Sequence, residues 1–176
     1  WDDVNHFTKI IIKSVPEAST RRQIMEQGEA DIALPFTNPA NQQALAATGM
    51  FDIGAAGQMR IDYALYNPHG KLKDPRTRQA ISYAFDYDGY INGVRQGLGR
   101  QAAGPFPRNL VYHDPDVFVY PTDLTKAKEL FDAAGWNYED ELLFTYYPGF
   151  GGEDVGPILQ AQLEQIGVKL LSLIHI

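Results

Sequence analysis

The stretch best suited to chemistry is "YYPGFGGEDVGP", running from Tyr146 to Pro157. A strand-like apolar run ends at Tyr147, a glycine-rich loop comes next, and a helical pattern begins near Asp154. In an open α/β sheet, ligands sit outside the carboxyl ends of strands, against helix N-termini. Gly149, Gly151 and Gly152 would let backbone N–H groups approach a ligand carboxylate or carbonyl closely. Tyr147 and Phe150 could stack on an apolar or aromatic group. No Gly-Lys-Ser/Thr comes after it, so this is not a phosphate-binding P-loop. The competing reading is an ordinary glycine-rich connection.

Other candidates carry less. His6, His69, His113 and His175 lie far apart, with no pair at ligand spacing, so solvated or capping roles are expected and no metal site. "DYDGYINGVRQG" from Asp86 has the outline of a calcium loop. Its glycine falls at the wrong position, however, and Gly97 stands where the bidentate Glu belongs. Asp86 and Asp88 are better taken as helix caps. "HDPD" at His113 to Asp116 brings two carboxylates together, but Asp-Pro in a loop makes turns. The chain has no cysteine and no serine nucleophile elbow. The expectation is a protein without catalytic residues and without a cofactor.

The bulk composition bounds the partners. A net charge of -7 with no Lys/Arg cluster argues against a nucleic-acid surface. No apolar run approaches the span of a bilayer. The absence of cysteine suits an exported bacterial protein and a cytosolic one equally.

The elements that would position the loop alternate. "FTKIIIKSV" reads as a strand, and its three consecutive isoleucines call for burial on both faces. "PEASTRRQIMEQG" reads as a helix stopped by Gly28, "ADIAL" as a strand, and "NPANQQALAATG" as a helix closed by Gly49. "MRIDYALYN" reads as a strand with Ile61, Tyr63 and Leu65 on one face. Asp74 and Pro75 begin a helix with Ile81, Ala84 and Phe85 as its apolar stripe. Asp86 begins a second, carrying Ile91 and Val94 and ended by Gly97 and Gly99. A long proline-punctuated loop comes next. Asp123 caps the clearest helix, with Ala127, Leu130, Phe131 and Ala134 inward and Gly135 as stop. "ELLFTYYP" is a strand, and "EDVGPILQAQLEQIG" a helix burying Val155, Leu159, Leu163 and Ile166. Such alternation calls for an α/β sheet.

Several of these segments resemble one family. "KSVPEASTRRQIMEQGEADIAL" is similar to a strand–helix–strand of the oligopeptide/dipeptide-binding family, family 5 of the solute-binding proteins of ABC importers. "LKDPRTRQAISYAFDYDGYINGV" resembles its most recognisable stretch: Asp74, the pair Arg76 and Arg78, Gln79-Ala80, Tyr83-Ala84, then Asp86 and Asp88. "AAGPFP", "YPTDLTKAKELFDAAGW" and "LQAQLEQIGVKL" match its next segments in order. The resemblance runs from Phe7 to Leu170 and implies a type II periplasmic-binding-protein fold, two α/β lobes closing on a ligand. Residues 1–170 would form part of the later lobe, incomplete.

The resemblance further implies that the chain binds a peptide or similar small solute in an interlobe cleft and partners with ABC permease subunits. It implies a periplasmic or extracellular location, with a lipid anchor as one option. Tyr147, Phe150, Gly151, Gly152 and Glu153 would line the cleft. Family members with a basic or histidine side chain in that loop differ from this one, where Glu153 would meet a ligand amine or other cation. The alternative is a sensor or enzyme lobe reusing the fold.

The last residues, "LSLIHI", form a separate case. Back-translated as CTG TCT CTT ATA CAC ATC, they match a transposon-end adapter used in library preparation. The expectation is that residues 171–176 are a non-native tail; the alternative is a natural apolar strand.

Overall fold

The computed structural model describes residues 7–34, 39–54, 59–147 and 151–174. The chain divides into two units, Trp1–Phe51 and Asp52–Ile176.

In the first unit, helix α1 (Ala18–Glu26) ends where Gly28 takes φ +71°. There the Gly28 and Glu29 amides bond back to the carbonyls of Met25 and Ile24, each at 3.0 Å, closing the last turn as the glycine stop predicts. Helix α2 (Pro39–Ala47) packs on α1, with Met25 and Leu45 buried. The strands expected over 7–15 and 30–34 do not form. Ile10, Ile11 and Ile12 are 77%, 66% and 92% exposed, the reverse of burial on both faces. A strand completes its backbone hydrogen bonds only on a neighbour, and no described residue supplies one.

The second unit holds the larger core. Residues 59–67 again form no strand, and Tyr63 and Leu65 are exposed. Helix α3 (Pro75–Ala84) begins as expected: Pro75 stands at its first position and the Asp74 Oδ1 accepts from the Arg76 amide at 2.8 Å. Its inner face buries Ala80, Ile81 and Ala84, while Phe85 closes the end half-buried. Asp86 caps the next segment, accepting from the Gly89 amide at 2.9 Å, and the chain then winds as a π-helical turn over Gly89–Val94. Asp88, the other expected cap, makes no capping bond. The loop 100–121 contains "HDPD", where Asp114 accepts from the Asp116 amide at 2.9 Å and so forms the expected turn.

Helix α4 (Leu124–Ala133) is capped by Asp123, whose Oδ1 accepts from the Lys126 amide at 2.8 Å. Its start is tied to the end of α3 by the Asp123 amide on the Tyr83 carbonyl, at 2.8 Å, and by the Thr122 hydroxyl on the Phe85 carbonyl, at 2.7 Å. Strand β1 (Glu141–Tyr146), helix α5 (Gly152–Glu164) and strand β2 (Lys169–Ile174) complete the unit. The strands pair in parallel, with Leu142 opposite Leu170 and Tyr146 opposite Ile174. Leu142 and Leu170 bury on the face covered by α5, while Leu143, Leu171 and Leu173 stay exposed. Phe131, Leu163, Val168 and Ala127, all fully buried, form the centre of the core with Leu159.

Leu171–Ile174, expected to be foreign to the domain, lie in β2, and His175 and Ile176 lie outside the described residues.

Candidate functional site

The carboxyl end of β1 and the first turn of α5 stand together because the β1–α5–β2 unit is parallel. A parallel pair needs a crossover, and the helix must start beside the strand's end. Tyr147 comes directly after β1 and is 64% exposed. Gly151 precedes α5 with φ +86°, a left-handed backbone that glycine adopts without strain. Its carbonyl accepts from the Asp154 and Val155 amides, both at 3.2 Å, which starts the helix. Glu153 and Asp154 occupy the first turn, where carboxylates suit the positive end of the helix dipole. Of the residues chosen from sequence, Tyr147, Gly151, Gly152 and Glu153 thus converge at one end of the sheet. Phe150, and Gly149 beside it, lie outside the described residues.

The glycines also have packing reasons that the sequence did not disclose. A Cβ on Gly152 would stand 2.3 Å from the Tyr146 Cβ, so the helix can approach the strand only without a side chain there. One turn on, a Cβ on Gly156 would stand 2.4 Å from the Ser172 Oγ of β2. The same run of small residues therefore seats α5 on the sheet and leaves the strand end open.

A second wall of this site is absent from the sequence-based expectation. The π-helical turn packs on α5, and the Tyr90 hydroxyl lies 3.4 Å from the point where a Cβ on Gly151 would be. Burial raises the pKa of the Tyr90 phenol; Arg95 opposes that, while Asp154, Asp62 and Glu153 add to it. Asp154 is likewise raised, by burial first and by its neighbour Glu153 second, with Arg95 acting against both. Tyr90 and Asp154 thus share the field of Arg95 and of neighbouring carboxylates. No local motif announces this arrangement, because a π-turn has no composition signature and Tyr90 reads as one more residue of a short helix.

The remaining candidates stay apart. The His113 ring is bonded through Nδ1 to the Phe106 carbonyl at 3.1 Å, and His69 is exposed. His6 and His175 lie outside the described residues. Among the described residues no three His, Asp or Glu side chains converge as metal ligands. A groove of about 470 Å3, lined by Lys71, Asp74, Trp136 and Asp140 among others, lies at the amino end of β1, opposite the glycine loop. Among the described residues no helix is long and apolar enough to cross a membrane.

The family model for bacterial extracellular solute-binding proteins, family 5 middle, matches residues 1–171. A probable D,D-dipeptide-binding periplasmic protein of Escherichia coli is 29% identical over 93% of this chain and 32% of its own length. Heme-binding protein A of Haemophilus influenzae is 27% identical over 96% of this chain and 32% of its own. The crystal structure of the ABC transporter substrate-binding protein CtaP from Listeria monocytogenes superposes with a TM-score of 0.75 at 26% identity. That match covers 90% of this chain and 33% of the other. The chain therefore spans about a third of the length of the relatives it matches. It shares their mixed α/β periplasmic-binding-protein fold, and it belongs to family 5 of the bacterial extracellular solute-binding proteins.

Proposed function

We propose that this chain is part of the solute receptor of an ABC importer, taking a peptide or similar small solute in a cleft between two lobes. The observation that carries the proposal is the parallel β1–α5–β2 unit, which presents Tyr147, Gly151, Gly152 and Glu153 at the carboxyl end of β1 in a chain of this family. Phe150 belongs to the same stretch by sequence. Exposed Tyr147 offers a stacking face. The first turn of α5 carries acids and no Lys or Arg, which favours a ligand with an amine or other cation here over a carboxylate. Closing of the lobes on cargo would shift an open–closed equilibrium by the differential affinity of the two states. The partners are the permease subunits, and the location is periplasmic or extracellular, with a lipid anchor as one means of attachment.

The test is calorimetric titration of the protein expressed from its complete reading frame with L-Ala-L-Ala, tri-alanine and heme. We expect a peptide to bind and Tyr147→Ala and Glu153→Gln each to weaken it by about tenfold or more. Peptide binding that both variants leave untouched would remove the site; heme binding without peptide binding would remove the ligand class.

The reading of residues 171–176 as adapter-derived belongs with this proposal. Pairing of Leu171–Ile174 with β1 uses backbone groups that almost any sequence supplies. The side chains fit less well: the Ser172 Oγ is buried against Gly156 without a hydrogen-bond partner. Sequencing the genomic locus across codon 171 decides it, and a continuous native "LSLIHI" would end the idea.

A further inference from the structure

We infer that Tyr90 is a positioning residue of the proposed site: its phenol, delivered by the π-helical turn, holds the left-handed corner at Gly151 and with it the start of α5. This rests on the proposed site at the end of β1 and adds to it a residue from a different segment of the chain.

The geometry runs from the backbone outward. Six residues, Gly89–Val94, wind as a π-helix, a form found mostly as single turns at functional sites. Two features fix it. The Asp86 carboxylate accepts from the Gly89 amide, and it fills the space a Cβ on Gly89 would need, 2.1 Å away. At the other end the Arg95 amide reaches back five residues to the Tyr90 carbonyl at 3.0 Å, and the Gly97 amide to Ile91 at 2.9 Å. The Tyr90 ring rests on Phe85, with centroids 5.8 Å apart and planes at 58°. A side chain braced at its base by an aromatic ring has little freedom at its tip.

That tip ends at Gly151. The phenol oxygen lies 3.4 Å from the point where a Gly151 Cβ would stand, so it borders the side-chain space of the residue whose carbonyl accepts the first amides of α5. Gly151 at φ +86° has no side chain of its own to hold that conformation. A glycine free on that side would be the most mobile joint of the loop; the phenol gives it a wall. The hydroxyl oxygen is the atom this role needs. It is the single heavy atom of Tyr90 within 4 Å of that point, and the ring stands farther off.

Amide exchange by NMR on the protein from its complete reading frame tests this without a ligand. The Asp154 and Val155 amides, both on the Gly151 carbonyl, report the corner, and the Ala134 amide, on the Leu130 carbonyl of α4, reports the rest of the fold. In Tyr90→Ala we expect exchange at Asp154 and Val155 to rise by about tenfold with Ala134 unchanged, and in Tyr90→Phe, which keeps the ring and loses the oxygen, to rise as well but by less. No change at Asp154 and Val155 in Tyr90→Ala overturns the inference. A rise at Ala134 as well overturns it too, since Tyr90 would then be a general core residue. L-Ala-L-Ala titration links the corner to the site: Tyr90→Ala should weaken binding by about tenfold and Tyr90→Phe by less. If Tyr147→Ala weakens binding and Tyr90→Ala does not, the site stands and the positioning role falls. If Tyr147→Ala has no effect, the site reading fails, and the exchange rates still decide whether Tyr90 holds the corner.

Discussion

Residues 59–66 and residues 123–174 belong to the same unit and both carry many large apolar side chains, yet their fates differ. In the later region Phe131, Leu163 and Val168 are fully buried. In the earlier one Tyr63 is 75% exposed and Leu65 86%. The difference lies in how each satisfies its backbone. Helices α3, α4 and α5 close their hydrogen bonds within themselves and need only a face to lie on. A lone β-like segment leaves its amides and carbonyls to a neighbour, and among the described residues only β1 and β2 find one another. The fully buried side chains therefore stand where the backbone is satisfied, and of the unpaired segment Tyr66, at its end, packs on the core.

Substitutions can break or sharpen that contrast. Phe131→Ala should have the largest effect, a loss of about 3–5 kcal/mol in urea unfolding, because it empties the centre of the core. Gly156→Ala should cost about 1–3 kcal/mol by forcing α5 off β2, and Ser172→Gly in the same chain should recover much of it. Failure of that rescue would show that the two elements are not in register as described. Asp123→Ala removes the side-chain cap of α4 and keeps the backbone tie of its start to α3, so about 1 kcal/mol should be lost in thermal melts. Leu65→Ala should move the unfolding midpoint by less than about 0.5 kcal/mol equivalent; a core-sized loss would mean that this segment is covered after all.

The smallest effect is electrostatic. Arg76 grips the Asp74 carboxylate through its guanidinium and its amide, which lowers the Asp74 pKa to about 2. A carboxyl held down in the folded state contributes stability above the ordinary carboxylate range and loses it as pH falls from about 4 toward 2. The pair is exposed, so the effect should be slight and weaker still in high salt. Melting curves at pH 4 and pH 2 should differ less in Asp74→Asn, which keeps the cap and removes the titration.

Legibility divided along the same physical line. The caps Asp74, Asp86 and Asp123 and the stops Gly28, Gly97 and Gly135 fall where the sequence places them, because each acts over four or five residues. The buried stripe of α4 is visible for the same reason. The early strands are misplaced because residue types at 7–15, 30–34 and 59–67 report a preference for extended backbone and nothing about a partner. At the site, the glycine loop stands out by composition. Its packing causes, Tyr146 under Gly152 and Tyr90 against Gly151, join residues far apart in the chain or across a tight crossing.

The sequence by itself determined the family, the helices with their ends, and the short list at the end of β1. These depend on short-range chemistry or on order along the chain. Tertiary structure alone decided which extended segments pair and why Gly152 must be small. It also decided that a tyrosine from a π-turn stands beside the candidate site. Those outcomes depend on distances between segments that no local pattern encodes, since a backbone donor or an absent Cβ acquires meaning only when another part of the fold stands opposite it.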